Sequence, residues 1–198
     1  MAIPVNIEEL INRRVVESTR IEFKSDFNPN PIIHSICAFA NDIDNLGGGY
    51  IIIGVEEQDR APIFPVKGIE QSSIDNMVKE LVGYCHYIEP LYNPIVEPVL
   101  FQNVYVIVIW VLGGYGRPYQ ASKDVFGNDA PKSSKYYYIR KISSTIIASA
   151  EEEKELFYIS MDIPFDDRPN LAAEVDDLDI GLMRHHLKEI GSTLYERW

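Results

Sequence analysis

Residues 17–57 contain acidic side chains that the predicted secondary structure allows to converge. Glu17 and Glu22 lie five residues apart in a predicted strand, and Glu56 and Glu57 follow a second, apolar strand. A β-bulge between Glu17 and Glu22 would turn both carboxylates to one side of the first strand. Clustered carboxylates can hold Mg²⁺ or Mn²⁺ and activate a water molecule, whereas glutamates on a strand can equally form a solvated face. The residue types alone leave both interpretations open.

Two strands and a helix would position these acids. Residues 15–24 alternate as a half-buried strand does, although Glu17 falls on the otherwise apolar side. Pro31 suits the first turn of a helix ending near Asn41, and residues 50–55 are a β-branched run typical of a central strand covered on both faces. Asn41 is predicted to cap the helix end, and the glycines at 47–49 to supply positive φ angles. No Gly-Lys-Ser/Thr sequence follows these glycines, so they do not form a P-loop and we do not expect ATP to bind there.

The remaining patterns predict a domain that mixes helices and strands. Further elements are predicted as a turn over residues 58–62, a strand over 63–67, a helix over 72–86, a hairpin of strands 95–101 and 104–112, a strand over 136–140, a helix over 150–159 and a last helix over about 177–191. Ser149 and Glu152 form a capping box for the helix at 150. We therefore predict an α+β fold, a mixed sheet flanked by helices with a C-terminal helical extension. Residues 1–160 would form the domain, and residues 161–198 an acidic linker and helix leading to a further domain.

The charge of the chain is uneven. The formal net charge of −12 argues against nonspecific binding to nucleic acid, whose main free-energy contribution is phosphate neutralisation. Residues 149–198 hold 13 acidic and 5 basic residues, a net charge of −8. Residues 117–141, by contrast, hold 6 basic residues and 2 acidic ones, a local charge of +4. The acidic total thus conceals a basic segment.

That basic segment is the second candidate site. Its candidate contacts with nucleic acid are four cations and two aromatic rings: Lys132, Lys135, Tyr136, Tyr138, Arg140 and Lys141. The cations could contact phosphates while the tyrosine rings stack on bases. A solvated strand edge with core tyrosines explains the same pattern.

Cysteine, histidine and hydropathy patterns indicate few other sites. Cys37 and Cys85 each lie in apolar surroundings, which predicts two buried thiols rather than a zinc site or a disulfide. The four histidines, His34 among them, show no ligand spacing. The longest apolar run, residues 104–112, is too short to cross a bilayer, and residues 1–16 lack a signal peptide. We therefore expect a soluble, cytoplasmic protein that does not bind membranes.

Ordered short motifs connect the sequence to a known family. The motifs are Glu17 with Glu22-Phe23-Lys24, then Ala38-Phe39-Ala40-Asn41, then Gly48-Gly49, and then Gly54-Val55-Glu56-Glu57. Together they resemble the Schlafen/AlbA-type domain of bacterial proteins described as transcriptional regulators or divergent ATPases. Later pieces are similar to the C-terminal part of the same group: Tyr138-Ile139-Arg140, Ser143-Ser144-Thr145, Ser149 and residues 163–169. The resemblance extends over about residues 17–189.

The resemblance implies a function in handling nucleic acid. It implies first a regulatory module that binds DNA or RNA. It implies as an alternative a metal-dependent endoribonuclease in which Glu17, Glu22 and Glu57 hold Mg²⁺ or Mn²⁺, with Glu56 as the other choice for the third acid and Lys24 on a phosphate oxygen. The family most often has Asp where this chain has Glu at the third position, which changes the reach of that ligand.

A third hypothesis is a protein-interaction or oligomerisation module. The acidic C-terminal part could dock another domain, or two copies could form a homodimer. Relatives of this type often continue into ATPase-like and winged-helix regions, so we also expect that the chain is part of a longer protein.

Overall fold

The computed structural model describes residues 3, 6–12, 20–127, 130–161 and 179–192. Their helices are α1 (Ile7–Asn12), α2 (Pro29–Asn41), α3 (Gln71–Cys85), α4 (Ala150–Ser160) and α5 (Ile180–Glu189), with a 3₁₀ turn at Ala130–Lys132. Their strands are β1 (Ile21–Lys24), β2 (Gly49–Ile53), β3 (Glu57–Gln58), β4 (Ala61–Pro62), β5 (Ile88–Glu89), β6 (Ile95–Phe101), β7 (Val104–Val111), β8 (Gln120–Ser122), β9 (Lys135–Lys141) and β10 (Ser144–Ile147). This is an α+β fold, as the sequence predicts.

The first sheet is mixed and has the strand order β1-β2-β7-β6. β2 lies between β1, which is parallel to it, and β7, which is antiparallel. Every residue of β2 is buried, because Ile51 and Ile53 pack into one core cluster while Tyr50 and Ile52 pack into another. The predicted central strand is therefore confirmed.

A second four-stranded sheet has the order β10-β9-β8-β5, and all of its pairs are antiparallel. The helix α2 packs against both sheets, since its apolar residues share one core with Ile51 of β2 and with Tyr138 of β9. Nine of its thirteen residues are buried. A helix whose surface is apolar nearly all round must be buried on more than one side, as α2 is between these two sheets.

Several predicted elements are confirmed by the structure. The predicted hairpin is β6 and β7, joined by Gln102 and Asn103 at φ 46° and 68°, as a two-residue turn that follows the strand twist requires. The predicted capping box is present: Ser149 accepts from the amide of Glu152, whose carboxylate accepts from the amide of Ser149.

Two strand predictions are wrong or incomplete. Residues 63–67 form no strand; the pairing partner of β3 is β4, with Asp59 and Arg60 in the turn at φ 54° and 65°. Pro65 lacks an amide hydrogen and is poorly suited to a ladder. Of the predicted strand 15–24, residues 20–24 are described and residues 21–24 form the strand; Glu17, one end of the predicted bulge, lies outside the described residues. The short strands β5, β8 and β10 were not predicted.

The chain divides into two compact units, Met1–Asp162 and Ile163–Trp198. In the second unit, α5 begins at Asp179, whose carboxylate accepts a hydrogen bond from Leu182 N at 2.9 Å. Leu182 and Ile190 are among its exposed apolar side chains. No helix in the described ranges is both long and apolar enough to traverse a bilayer.

Candidate functional site

A cavity of about 540 Å³ opens where four parts of the first unit meet. These parts are β1, the first turns of α2, the β3–β4 hairpin and the start of β10 with the turn before it. The lining side chains are Glu22, Lys24, Pro31, His34, Ser35, Glu57, Arg60, Ser143, Ser144 and Thr145. Apart from Pro31, every one of these side chains carries a polar group. Residues distant in sequence thus form one polar site.

Glu22 is a buried carboxylate that pairs with two cations beside the cavity. Its strand neighbours Ile21 and Phe23 pack into the core on one face of the sheet, so the alternation of the strand turns Glu22 and Lys24 to the other face. Glu22 is 6% exposed, and its carboxylate pairs with both Lys24 Nζ and Arg140 Nη1. A buried carboxylate is strongly disfavoured unless it is paired in this way.

A hydrogen-bond chain continues from Arg140 along the wall of the cavity. The guanidinium of Arg140 donates to Thr145 Oγ1 at 3.0 Å and lies over the ring of Phe39, 5.0 Å from its centroid. Thr145 Oγ1 in turn lies 3.0 Å from Ser35 Oγ. This chain ties β9, β10 and α2 together and holds two of the hydroxyl groups that line the cavity, those of Thr145 and Ser35.

Glu56 and Glu57, the two candidates for the third acid of a metal site, lie in different surroundings. Glu57 is exposed and lines the same cavity as Glu22. Glu56 lines only an adjoining cavity of about 400 Å³, which also includes Lys24 and Glu57, and its carboxylate lies 3.9 Å from Lys67 Nζ. Of the two, Glu57 shares the larger cavity with Glu22.

The described residues do not by themselves fit a divalent cation. Glu17 lies outside the described residues, and elsewhere in the described ranges no three His, Cys, Asp or Glu side chains form a metal-binding group. The charge of Glu22 is already balanced by Lys24 and Arg140. The carboxylate of Glu57 alone supplies too few oxygen ligands to bind Mg²⁺ or Mn²⁺ well. The assignment of Glu17, Glu22 and Glu57 as metal ligands stays a prediction.

His34 contributes an aromatic ring to the cavity wall. Its imidazole stacks on the ring of Tyr138, with centroids 4.1 Å apart and an interplanar angle of 10°. Its Nε2–H donates to the carbonyl oxygen of Ser122 at 3.0 Å. Burial lowers the pKa of His34 below its usual 6.5, and the hydrogen bond to Ser122 opposes that shift only in part. The ring is therefore neutral at pH 7.

The predicted basic segment does not form one open strip. Tyr138 is 5% exposed beneath His34, and Arg140 is 4% exposed against Glu22. The expectation that these two side chains lie on an accessible surface is wrong, because β9 is covered on both faces: Tyr138 packs into the main core cluster, and Ile139 packs into another with Leu156 of α4. Tyr136 is half-buried and packs against the main core cluster.

The three lysines of that segment predicted to contact nucleic acid, Lys132, Lys135 and Lys141, are exposed. Lys135 pairs with Glu89, and Lys141 pairs with Glu152, while Lys132 ends the 3₁₀ turn. Surface pairs of this kind are weak and exchange readily with a competing anion. A role for these lysines in binding nucleic acid stays a prediction.

Asn41 and the glycine turn have structural roles. Asn41 is fully buried and ends α2, but its side chain does not cap the helix: it bonds to the backbone of Tyr119 and Tyr138. Asp42 provides the left-handed C-cap at φ 43°. Positive φ angles at Gly47 and Gly48 confirm the glycine prediction at these two positions, whereas Gly49 is the first residue of β2 and has no positive φ.

The two cysteines supply no reactive group. Cys37 and Cys85 are both buried and unbonded to each other, as predicted. Burial raises the pKa of each thiol to about 12, so neither is a thiolate at neutral pH.

Sequence reasoning missed His34 and Arg60 as members of the site. A signal for His34 exists, since Pro31, His34 and Ser35 have the i, i+3, i+4 spacing of one helix face within an otherwise apolar helix. Arg60 carries no comparable signal, because its position depends on the β3–β4 turn.

Comparison with known proteins identifies the family. The sequence matches the family described as "Schlafen, AlbA_2" over residues 17–149, about two thirds of the chain. The protein belongs to this Schlafen AlbA_2 family, which confirms the resemblance seen in the motifs. No curated protein matches the chain.

Two solved structures resemble the fold. One is the N-terminal domain of an ATP-dependent DNA helicase RecG-related protein from Nitrosomonas europaea, with 21% identity, a TM-score of 0.50 and coverage of 74% of this chain and 94% of that domain. The other is a protein from Corynebacterium diphtheriae, with 16% identity, a TM-score of 0.47 and coverage of 72% of this chain. This chain spans only 24% of the Corynebacterium protein.

Proposed function

We propose that this protein is a nucleic-acid-binding module, with a regulatory role, whose polar cavity receives the phosphates of DNA or RNA. The observation that carries the proposal is the charge state of the cavity. Its buried carboxylate, Glu22, is balanced by Lys24 and by Arg140. Arg60 adds a further cation to the wall. The lining itself holds two cations, Lys24 and Arg60, and two carboxylates, Glu22 and Glu57. Because the buried Arg140 behind the wall also pairs with Glu22, three cations face two carboxylates, a net charge of +1.

The donors of the cavity suit a phosphate group. Lys24 Nζ is a compact cation, whereas the planar guanidinium of Arg60 can bind two phosphate oxygens. The hydroxyl groups of Ser143 and Ser144 lie in the adjacent wall. Neutral and charged donors combined in this way are typical of contacts with the nucleic-acid backbone.

The exposed lysines Lys135 and Lys141 offer further phosphate contacts at the two ends of β9. Lys141 is two residues before Ser143, which lines the cavity, and Lys135 lies at the opposite end of the strand. Six residue steps along the strand place the two lysines about 20 Å apart. A nucleic-acid backbone that enters the cavity could thus continue along the strand.

Two comparisons support this proposal. The first is membership of the Schlafen AlbA_2 family, since resemblance to this type of domain implies the handling of nucleic acid. The Nitrosomonas neighbour is described as the N-terminal domain of a protein related to a DNA helicase, and its likeness to this chain is one of fold. An activity on nucleic acid is consistent with both.

Salt-dependent binding tests the proposal. Fluorescence anisotropy with labelled single-stranded DNA, duplex DNA and RNA should give an affinity that falls steeply with salt. Replacing Lys24 and Arg60 by Ala should weaken binding and reduce the salt slope by roughly 0.7 per lost phosphate contact on a single strand. A Lys132→Ala, Lys135→Ala and Lys141→Ala protein tests the strand in the same way.

The matched control replaces Lys79 and Lys154, which are exposed on α3 and α4 away from the cavity lining. It removes two positive charges while leaving both candidate surfaces intact. If all three proteins bound equally well, or if none of the nucleic acids bound, the proposed function would be wrong.

The nuclease hypothesis has one supporting observation, the placement of Glu22 and Glu57 in one cavity. It predicts RNA cleavage that needs Mg²⁺ or Mn²⁺ and is lost in Glu57→Gln and in Glu22→Gln, with Glu56→Gln as the control. Cleavage that persisted in a chelator, or in both variants, would refute it.

A further inference from the structure

We propose that the cavity holds one unstacked nucleotide of a single strand, with its base lying against the imidazole ring of His34. The inference rests on the proposed function and deepens it, because it specifies a single strand and a contact with the base. It assigns the aromatic contact to His34 rather than to the tyrosines of β9.

The first step is the fixed position of the ring. Tyr138 covers one face of His34 at 4.1 Å, and Ser122 holds the Nε2 edge at 3.0 Å. His34 also lines the cavity, and since Tyr138 covers one ring face, the inference assigns the base to the opposite face. A ring already held in place loses little conformational entropy when a base stacks on it.

The second step is the arrangement of polar groups around the ring. His34 and Pro31 come from α2, whereas Lys24 and Arg60 come from β1 and the β3–β4 turn. The cavity therefore has one wall with a flat ring and others with cations. A volume of about 540 Å³ lies in the range of small-ligand pockets.

The third step is the choice between a single strand and a duplex. In a duplex both faces of a base are covered by neighbouring bases, so that a base must unstack before a protein ring can contact it. A single strand offers its bases at a smaller cost, and stacking on side-chain rings is the common way in which proteins bind it. The His34 wall thus favours single-stranded DNA or RNA.

One experiment uses the unaltered protein. An oligonucleotide carrying 2-aminopurine between two abasic sites is bright, because the fluorescent base has no stacked neighbours. Stacking on His34 should quench it when the protein is added at saturation. An oligonucleotide that binds, as judged by anisotropy, with no change in 2-aminopurine emission would overturn the inference.

A second experiment uses variants of His34. Replacing His34 by Ala should weaken single-strand binding about 5- to 150-fold, the range of one stacking contact. His34→Phe should retain most of the affinity and the quenching, because a flat ring remains on Tyr138. His86→Ala, an exposed histidine after α3, is the control and should bind as the unaltered protein does.

The outcomes separate this inference from the proposed function. Equal affinity for duplex and single strand, with His34→Ala unchanged, would overturn the single-strand contact and leave nucleic-acid binding intact. An absence of binding to any nucleic acid would overturn both. Circular dichroism of His34→Ala and His34→Phe establishes that each variant is folded before its binding is interpreted.

Discussion

Glu22 and Arg140 form a buried ion pair across 118 residues of sequence, and the pair connects the two four-stranded sheets of the first unit. Glu22 belongs to β1 of the first sheet, and Arg140 belongs to β9 of the second. Both side chains are at least 92% buried. The pair thus holds one wall of the cavity against another, and the positions of Lys24 and Thr145 depend on it.

Removing Arg140 should destabilise the protein strongly. Arg140→Met would leave Glu22 buried with Lys24 as its remaining ion-pair partner, and breaking a buried pair in this way costs about 3–5 kcal/mol. We expect the lower end of that range because Lys24 stays in place. Urea denaturation followed by circular dichroism measures the change in the free energy of unfolding.

Lys141→Met is the matched control for Arg140→Met. Lys141 is adjacent in sequence and also pairs with a glutamate, but 63% of its side chain is exposed. An exposed pair contributes at most about 1 kcal/mol. Equal losses of stability in the two variants would contradict the structural role assigned to the Glu22–Arg140 pair.

Local sequence patterns predict much of this fold. The β-branched run in β2, the buried spacing in α2 and the capping box at Ser149 each depend on neighbours within a few residues. The pairing of Glu22 with Arg140 depends on how two sheets pack, and no local pattern encodes it. For the same reason the sequence presents Arg140 as one more cation of a basic segment, whereas the structure buries it.

The candidate site was predictable only in part. Glu22, Lys24 and Glu57 follow from the family motifs and do line the cavity. His34 and Arg60 also line the cavity, but the family motifs do not predict them. The position of His34 depends on its stacking on Tyr138, and that of Arg60 depends on the β3–β4 turn.

Asn41 should be difficult to replace. Its side chain accepts from Tyr119 N at 2.6 Å, and donates to Tyr119 O at 2.9 Å and to Tyr138 O at 2.8 Å. Asn41→Ala would leave three buried backbone groups without these partners, each at about 1–3 kcal/mol. We therefore expect a loss of at least about 3 kcal/mol in thermal or urea unfolding.

Asn76→Ala provides the comparison for Asn41→Ala. Asn76 lies in the exposed part of α3, where replacement by Ala should have little effect or stabilise the helix slightly. If Asn41→Ala were as stable as Asn76→Ala, the amide of Asn41 would not be the link between α2 and the second sheet.

Two glycines should respond in opposite directions to replacement by Ala. At Gly48, which has φ +78°, an added Cβ would lie 2.0 Å from the carbonyl oxygen of Val111, so we expect a loss of at least about 2 kcal/mol. At Gly83 in α3, nothing lies within 4 Å of an added Cβ, and Gly83→Ala should stabilise the protein by about 0.5–1 kcal/mol. Differential scanning calorimetry of both variants checks the signs, and a gain of stability in Gly48→Ala would contradict the described turn.

Protonation of His34 should reduce stability as the pH falls. Burial lowers the pKa of His34 in the folded protein below the value of 6.5 expected for the unfolded chain. The unfolded state therefore binds more protons between the two pKa values, and stability rises with pH in that interval. The contribution of His34 is complete above about pH 6.5 and is lost as the pH falls towards the lower, folded pKa.

A comparison with His34→Phe isolates this effect from other acid-sensitive groups. The difference in unfolding free energy between the unaltered protein and His34→Phe should be constant above about pH 7 and should change in favour of the variant below about pH 6.5. An NMR titration of the His34 ring protons gives the folded pKa directly. A value at or above 6.5, or a stability difference independent of pH, would show that the ring is not held neutral between Tyr138 and the Ser122 carbonyl.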